Sequence, residues 1–197
     1  MSAPAFRLPA DVAAAVEDYR RESNPVELTR RLIHLANAAT ADALIEVAEP
    51  YRDEPNVIAP LYEQIVRQQP ANARALVILA NAYWLQGRGP AEVGQLASRA
   101  IECDPANRGA WHLWALSESD PRQRVTRWQQ VTQRFPDDDL ALANVADNAA
   151  AVAGAESDYE LLDLAVATFE RLLERSPAPE QREAVEMAIR ALKGWRF

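Results

Sequence analysis

Residues 70–105 read PANARALVILANAYWLQGRGPAEVGQLASRAIECDP, a helix, a turn and a second helix with a proline at either end. In the first half Leu76, Leu79, Ala80 and Tyr83 recur at i, i+3, i+4 and i+7, which puts them on one side of a helix. Gly87 and Gly89 interrupt that pattern. Pro90 suits the first turn of the next helix, where a missing N–H costs nothing and the fixed φ is already helical. Val93, Ala97 and Ala100 then continue an apolar side at i, i+4 and i+7 until Pro105 closes the unit.

The frame recurs. Counting back 12, 8 and 5 residues from successive closing prolines gives Ile58, Tyr62 and Ile65 before Pro70, and Val93, Ala97 and Ala100 before Pro105. The same count gives Arg124, Trp128 and Val131 before Pro136, and Ala165, Phe169 and Leu172 before Pro177. Arg124 alone breaks the apolar pattern. On the first-helix side, Leu76-Leu79-Ala80-Tyr83 is echoed by Trp111-Trp114-Ala115-Glu118 and by Leu142-Val145-Ala146-Ala149, with a small residue each time where two helices would approach closely. The prolines stand 35, 31 and 41 residues apart. A drifting period in the mid-thirties signals stacked helix pairs, each unable to bury its apolar side without the next.

In these residues the chain resembles the tetratricopeptide-repeat family. Its pattern sets a large residue, Leu, a small residue and Tyr on the first helix, and small, aromatic and small residues on the second, closed by Pro. The match is best over 73–105 and partial over 37–70, 108–136 and 139–177. Glu118 stands where the family places Tyr, and Arg124 where it places Ala. The turn between paired helices reads about three residues short in the second unit and about seven long in the third, where it passes through Gly154. The resemblance implies an all-α, right-handed helical-repeat solenoid of antiparallel helix pairs. It would form a single domain over 1–197, with capping helices at 8–38, degenerate repeats over 39–177 and a capping helix at 179–197. A helical-repeat fold of another family is the alternative.

The resemblance also implies where a partner would bind. In the family the first helices line a concave groove through the second, fifth, sixth, ninth and twelfth positions of each repeat. Carried across, these positions are Arg74, Val77, Ile78, Asn81 and Trp84, then His112 and Leu113, then Ala143, Asn144 and Asp147. The expected function is that of a protein-interaction adaptor or scaffold taking a peptide or helix of another protein, with Asn side chains bonding its backbone and Trp84 as an apolar shelf. Some members grip a C-terminal carboxylate here, but Val77 stands where a Lys is needed, so that clamp is not implied.

Outside the central unit, Asp11 reads as the cap of a helix from Leu8 to Arg21, and Asn24-Pro25-Val26-Glu27 as a capping box opening the next. Thr40 caps a third helix that Pro50 ends, and Ser157-Asp158-Tyr159-Glu160 reads as another capping box. Glu46, Glu49, Asp53 and Glu54 gather at the exit of the third helix, as a solvated end or an acidic docking patch. His34 reads as structural or solvated, and Cys103 as a small buried side chain. From Pro179 a last helix carries Ala184, Val185, Ala188, Ile189 and Leu192. Gly194 then releases Trp195-Arg196-Phe197, which either folds back or engages another chain.

A net charge of −8 argues against general affinity for phosphate backbones. The local exception is the Arg-rich helix 121–134, with Arg122, Arg124, Arg127 and Arg134. Nucleic-acid binding through it is the lesser alternative. Another is a structural subunit or homo-oligomer built on the convex face or the C-terminal aromatics. No apolar run approaches ~18 residues and no leader is apparent, so a cytoplasmic protein without membrane contact is expected. With two His, one Cys and no glycine-rich phosphate loop, no enzyme, metal or cofactor is expected.

Overall fold

The computed structural model describes residues 7–175 and 178–196. The last closing proline, Pro177, and Phe197 of the C-terminal aromatics lie outside the described residues, as does the stretch before Arg7. Among the described residues there are eleven α-helices and no strand. They are α1 (Leu8–Glu22), α2 (Pro25–Asn37), α3 (Ala41–Ala48), α4 (Pro55–Gln68), α5 (Ala73–Leu85) and α6 (Pro90–Cys103). There follow α7 (Arg108–Leu116), α8 (Pro121–Arg134), α9 (Asp139–Glu156), α10 (Tyr159–Arg175) and α11 (Pro179–Lys193). The fold is all-α and built of successive helix hairpins. The chain divides into two compact units, 1–113 and 114–197.

In the first unit, α1 packs on α2, α3 on α4, α4 on α5 and α5 on α6. The recurring frame supplies its core. Ile58, Ile65, Leu76, Val93, Ala97 and Ala100 are all at most 2% exposed, with Val12, Val16, Leu28, Leu32 and Leu44 beside them. Polar groups between helices find each other. The Gln86 side-chain amide donates to the Pro55 carbonyl and to Asn56 Oδ1, and the Asn56 amide donates to the Tyr19 hydroxyl. The Tyr83 hydroxyl donates to Glu63 Oε1 at 2.8 Å, with the Arg88 guanidinium stacked 3.8 Å from its ring centroid. Burial, reinforced by the Glu63 carboxylate, pushes the Tyr83 phenol up to about 12.

The turn after α5 shows why two glycines lie there. Gly87 has φ +69°, its N–H reaching the Trp84 carbonyl while the Arg88 N–H reaches back to Tyr83. This paired closure of a helix end needs a left-handed residue, which Gly adopts without a Cβ penalty. Side-chain caps open the helices as the sequence suggested at Asn24, Thr40 and Asp120. Only half of the first capping box forms, because the Glu27 carboxylate turns forward to Arg30.

Two of the expected caps are displaced. Asp11 lies inside the first turn of α1, which begins at Leu8 with Pro9 among its first residues. The second box is shifted by one residue. Ser157 is left-handed (φ 57°) and ends α9, while Asp158 Oδ1 accepts the Leu161 N–H. A further correction concerns Cys103. It is exposed, because the buried side of α6 runs through Val93, Ala97 and Ala100 and reaches its next turn at 104.

In the second unit α8 packs on α9, α9 on α10 and α10 on α11. The core gathers Val125, Ala146, Ala149, Val152, Ala153, Leu162, Ala165, Phe169, Ile189 and Leu192. The extra residues of this repeat do not form the long turn expected through Gly154. They extend α9 to 18 residues, because the run from Ala149 to Ala155 is mostly alanine, the best helix former. Gly154 is helical, and a Cβ there would lie 3.0 Å from Cζ3 and 3.1 Å from Cη2 of Trp195. The glycine is a seat for that indole, and Trp195 packs against the core cluster. Replacing Gly154 by Ala should gain much less than the ~1 kcal/mol its helix propensity offers. In a Trp195→Ala background the same change should gain all of it. A double-mutant cycle by urea unfolding reads the difference, and identical gains in both backgrounds would contradict the contact.

Candidate functional site

Helix α5 carries the candidate site. Its inner side, Leu76, Leu79 and Ala80, is buried in the first unit. Arg74, Val77, Ile78, Asn81 and Leu85 follow at i, i+3, i+4, i+7 and i+11 and therefore share another side. That side walls a cavity of about 430 Å³, completed by Arg52, Pro55 and Ile58 ahead of and within α4, by Ala82, and by Asn107 before α7. Ile58 and Ala82 are buried and form its floor, while Leu85 is 59% exposed at its rim. Gly109 lies beside the cavity at the start of α7, where a Cβ would meet Val77 Cγ1 and Asn107 Oδ1 at 3.4 Å, an ordinary contact distance.

The lining is electrostatically one-sided. It holds two arginines, two asparagines and no carboxylate, in a chain whose net charge is −8. Arg52 is held by Glu49, Nε to Oε2 at 2.9 Å and Nη2 to Oε1 at 2.7 Å. Asn107 spends its Oδ1 on the Ala110 N–H, capping α7. The side chains of Arg74 and Asn81 make no hydrogen bond or ion pair with any described residue, which leaves a guanidinium and an amide free beside an apolar wall. Such a surface can accept an acidic group, a peptide backbone and aliphatic side chains together.

Of the ten residues expected to line a groove, four meet in this cavity: Arg74, Val77, Ile78 and Asn81. Trp84 is 38% exposed on the same helix and does not line it. His112 is half-buried on α7, and Leu113 is buried at 8%, so it packs in the core and offers little open surface. Ala143, Asn144 and Asp147 lie on α9 of the second unit. Asn144 donates its amide to the Leu140 carbonyl at 2.9 Å, and Asn148 donates to that of Asn144, so both donors are engaged within the helix. Partial desolvation by neighbouring helix atoms raises the pKa of the exposed Asp147. Leu85 was missed by family alignment, although it follows Asn81 at i+4. Arg52, Pro55 and Ile58 arrive by packing and carry no local signal.

The arginines of α8 are otherwise occupied. Arg122 bridges Glu156 at 2.6 Å and Asp158 at 2.5 Å. Arg124 Nε donates to the Glu118 carbonyl at 2.6 Å. Arg127 donates to the Trp114 carbonyl at 2.8 Å, pairs with Glu118 Oε2 at 2.6 Å and lies 4.6 Å from the Trp114 ring centroid. Arg134 stacks 5.9 Å from Phe135. A phosphate backbone would have to break these partnerships, which speaks against the nucleic-acid reading. The acidic patch after α3 is likewise partly spent, Glu54 on Arg20 and Glu49 on Arg52. Among the described residues no group of three His, Cys, Asp or Glu could hold a metal ion, and no helix is long and apolar enough to cross a membrane.

No protein-family model matches the sequence, and no curated protein matches it. Solved structures do resemble it. A crystal structure of MamA superposes with a TM-score of 0.60 at 17% identity, over 85% of this chain and 95% of that one. A second MamA structure gives 0.58 at 14% identity, over 88% and 98%. The thermophilic TPR protein TTC0263 of Thermus thermophilus gives 0.56 at 15% identity, over 94% and 99%. At such identities the likeness is one of architecture, and together with the helix hairpins and their proline-closed frame it gives the chain the fold of the tetratricopeptide-repeat proteins.

Proposed function

We propose that this protein is a protein-interaction adaptor that seats a segment of another protein in the cavity along α5. Aliphatic side chains of the segment lie against Val77, Ile78 and Leu85, its backbone is bonded by Asn81, and an acidic side chain meets Arg74. The observation that carries this reading is the free Arg74 guanidinium beside an exposed apolar wall, in a lining without a carboxylate. Trp84, 38% exposed on the same helix, is available to a longer segment.

A degenerate peptide array probed with the purified protein tests the proposal. The wild type should select peptides that combine an acidic residue with aliphatic neighbours. Arg74→Glu should weaken those peptides at least about tenfold, roughly 1.4 kcal/mol, since it replaces an attraction by a repulsion. Asn81→Ala should weaken them less and without a change of charge preference. Selection indifferent to charge, or binding undiminished in Arg74→Glu, would remove the cavity from the account.

A further inference from the structure

One exposed flank of α11 has the pattern of a helix seam. Ile189 and Leu192 are buried, with Val185, Ala188 and Trp195 packed against the same core. About a third of a turn around the helix from that side, Glu180, Ala184, Met187 and Ala191 follow at intervals of four, three and four residues, and all are exposed, Met187 by 54%. Alternating steps of four and three are the spacing by which two helices meet along a common line. Small side chains at 184 and 191 let a second helix come close, and Met187 supplies an adaptable apolar knob between them.

The charges say what that second helix is. Glu183 and Arg190, seven residues apart, flank the seam on the same side, and neither side chain makes a hydrogen bond or ion pair with a described residue. When two copies of one helix pack antiparallel about a two-fold axis, the flanking residue near one end meets the flanking residue near the other. With the axis beside Met187, Glu183 of each copy faces Arg190 of the other. A parallel arrangement sets like residues level and finds no such complement. Trp195 is no rival handle, since its ring is seated over Gly154.

We infer that α11 is a self-association surface, on which a second copy of this chain docks antiparallel with Met187 near the axis and two Glu183–Arg190 ion pairs across it. A contact one helix wide falls at or below the roughly 1,200 Å² at which stable interfaces begin, so the dimer is weak and forms at high protein concentration.

Sedimentation of the full chain over a concentration series, under reducing conditions, tests this independently of the α5 cavity. The wild type should approach twice the monomer mass. Met187→Glu should stay monomeric, and Arg190→Glu should weaken the dimer at least tenfold. The exchange Glu183→Arg with Arg190→Glu should restore it, because the pairing is self-complementary in either sense. The substituted side chains are all exposed, and circular dichroism should show unchanged helix content. A wild type monomeric throughout, a dimer indifferent to Met187→Glu, or a double exchange as weak as the single change would each overturn the inference.

Discussion

Trp128→Ala should destabilise the second unit by about 3–5 kcal/mol, the range found when a large aromatic is removed from a packed core. Trp128 is 2% exposed and lies between Val125 and Val131, both buried, on the side of α8 that meets α9. Its place in the frame is also that of Tyr62, Ala97 and Phe169, which are 4%, 0% and 8% exposed. The same slot is thus filled by side chains from alanine to tryptophan, each matched to its own surroundings. A protein stabilised by about 5–15 kcal/mol loses a large share of that when the largest filler goes. Urea unfolding followed by far-UV circular dichroism measures the change, with Trp128→Phe expected to recover more than half of it. A loss below about 1 kcal/mol for the alanine variant would mean the slot collapses around the gap.

Arg127→Met should cost about 2 kcal/mol, because it strips charge-assisted bonds from a partly enclosed site while keeping the aliphatic stem. The guanidinium joins the Trp114 carbonyl at 2.8 Å and Glu118 Oε2 at 2.6 Å, and rests over the Trp114 ring. Side-chain exposures of 27% and 16% make this pair less screened than the one between Arg122 and Glu156, at 49% and 45%. Arg122→Met serves as the comparison and should fall within about 1 kcal/mol of wild type. If the two variants were equally mild, the contact around Trp114 would be ornamental.

That contact accounts for the residues where the repeat pattern fails. Helix α7 has nine residues and ends at Leu116, so Glu118 cannot occupy the helical position the family gives to Tyr. Arg127 takes the Trp114 carbonyl in the last turn of the helix, and Arg124 the Glu118 carbonyl in the loop that follows it. Arg124, polar in an otherwise apolar frame, ties down the loop that follows the shortened helix. Sequence alone shows the anomaly and cannot show its cure, because the partners come from a different helix.

Other features divide along the same line. Periodicity and prolines mark α5 and α6 because helix packing and punctuation are local. Asn24, Thr40 and Asp120 are legible as caps, since each precedes a proline or an apolar run by the right step. Gly154 is misread because glycine signals a turn unless something occupies the space its missing Cβ leaves, and Trp195 lies 41 residues further on. The cavity is half legible. Arg74, Val77, Ile78 and Asn81 lie on one helix, whereas Arg52, Pro55 and Ile58 reach it only through the packing of α4 on α5.

The outward position of Cys103 has a practical use. A maleimide dye has one thiol in the whole sequence to choose, and it stands at the end of α6, clear of that helix's buried side. Fluorophore and unmodified protein would then differ at a single known address in the unit that holds the α5 cavity, so ligand entry can be followed optically without engineering the chain first.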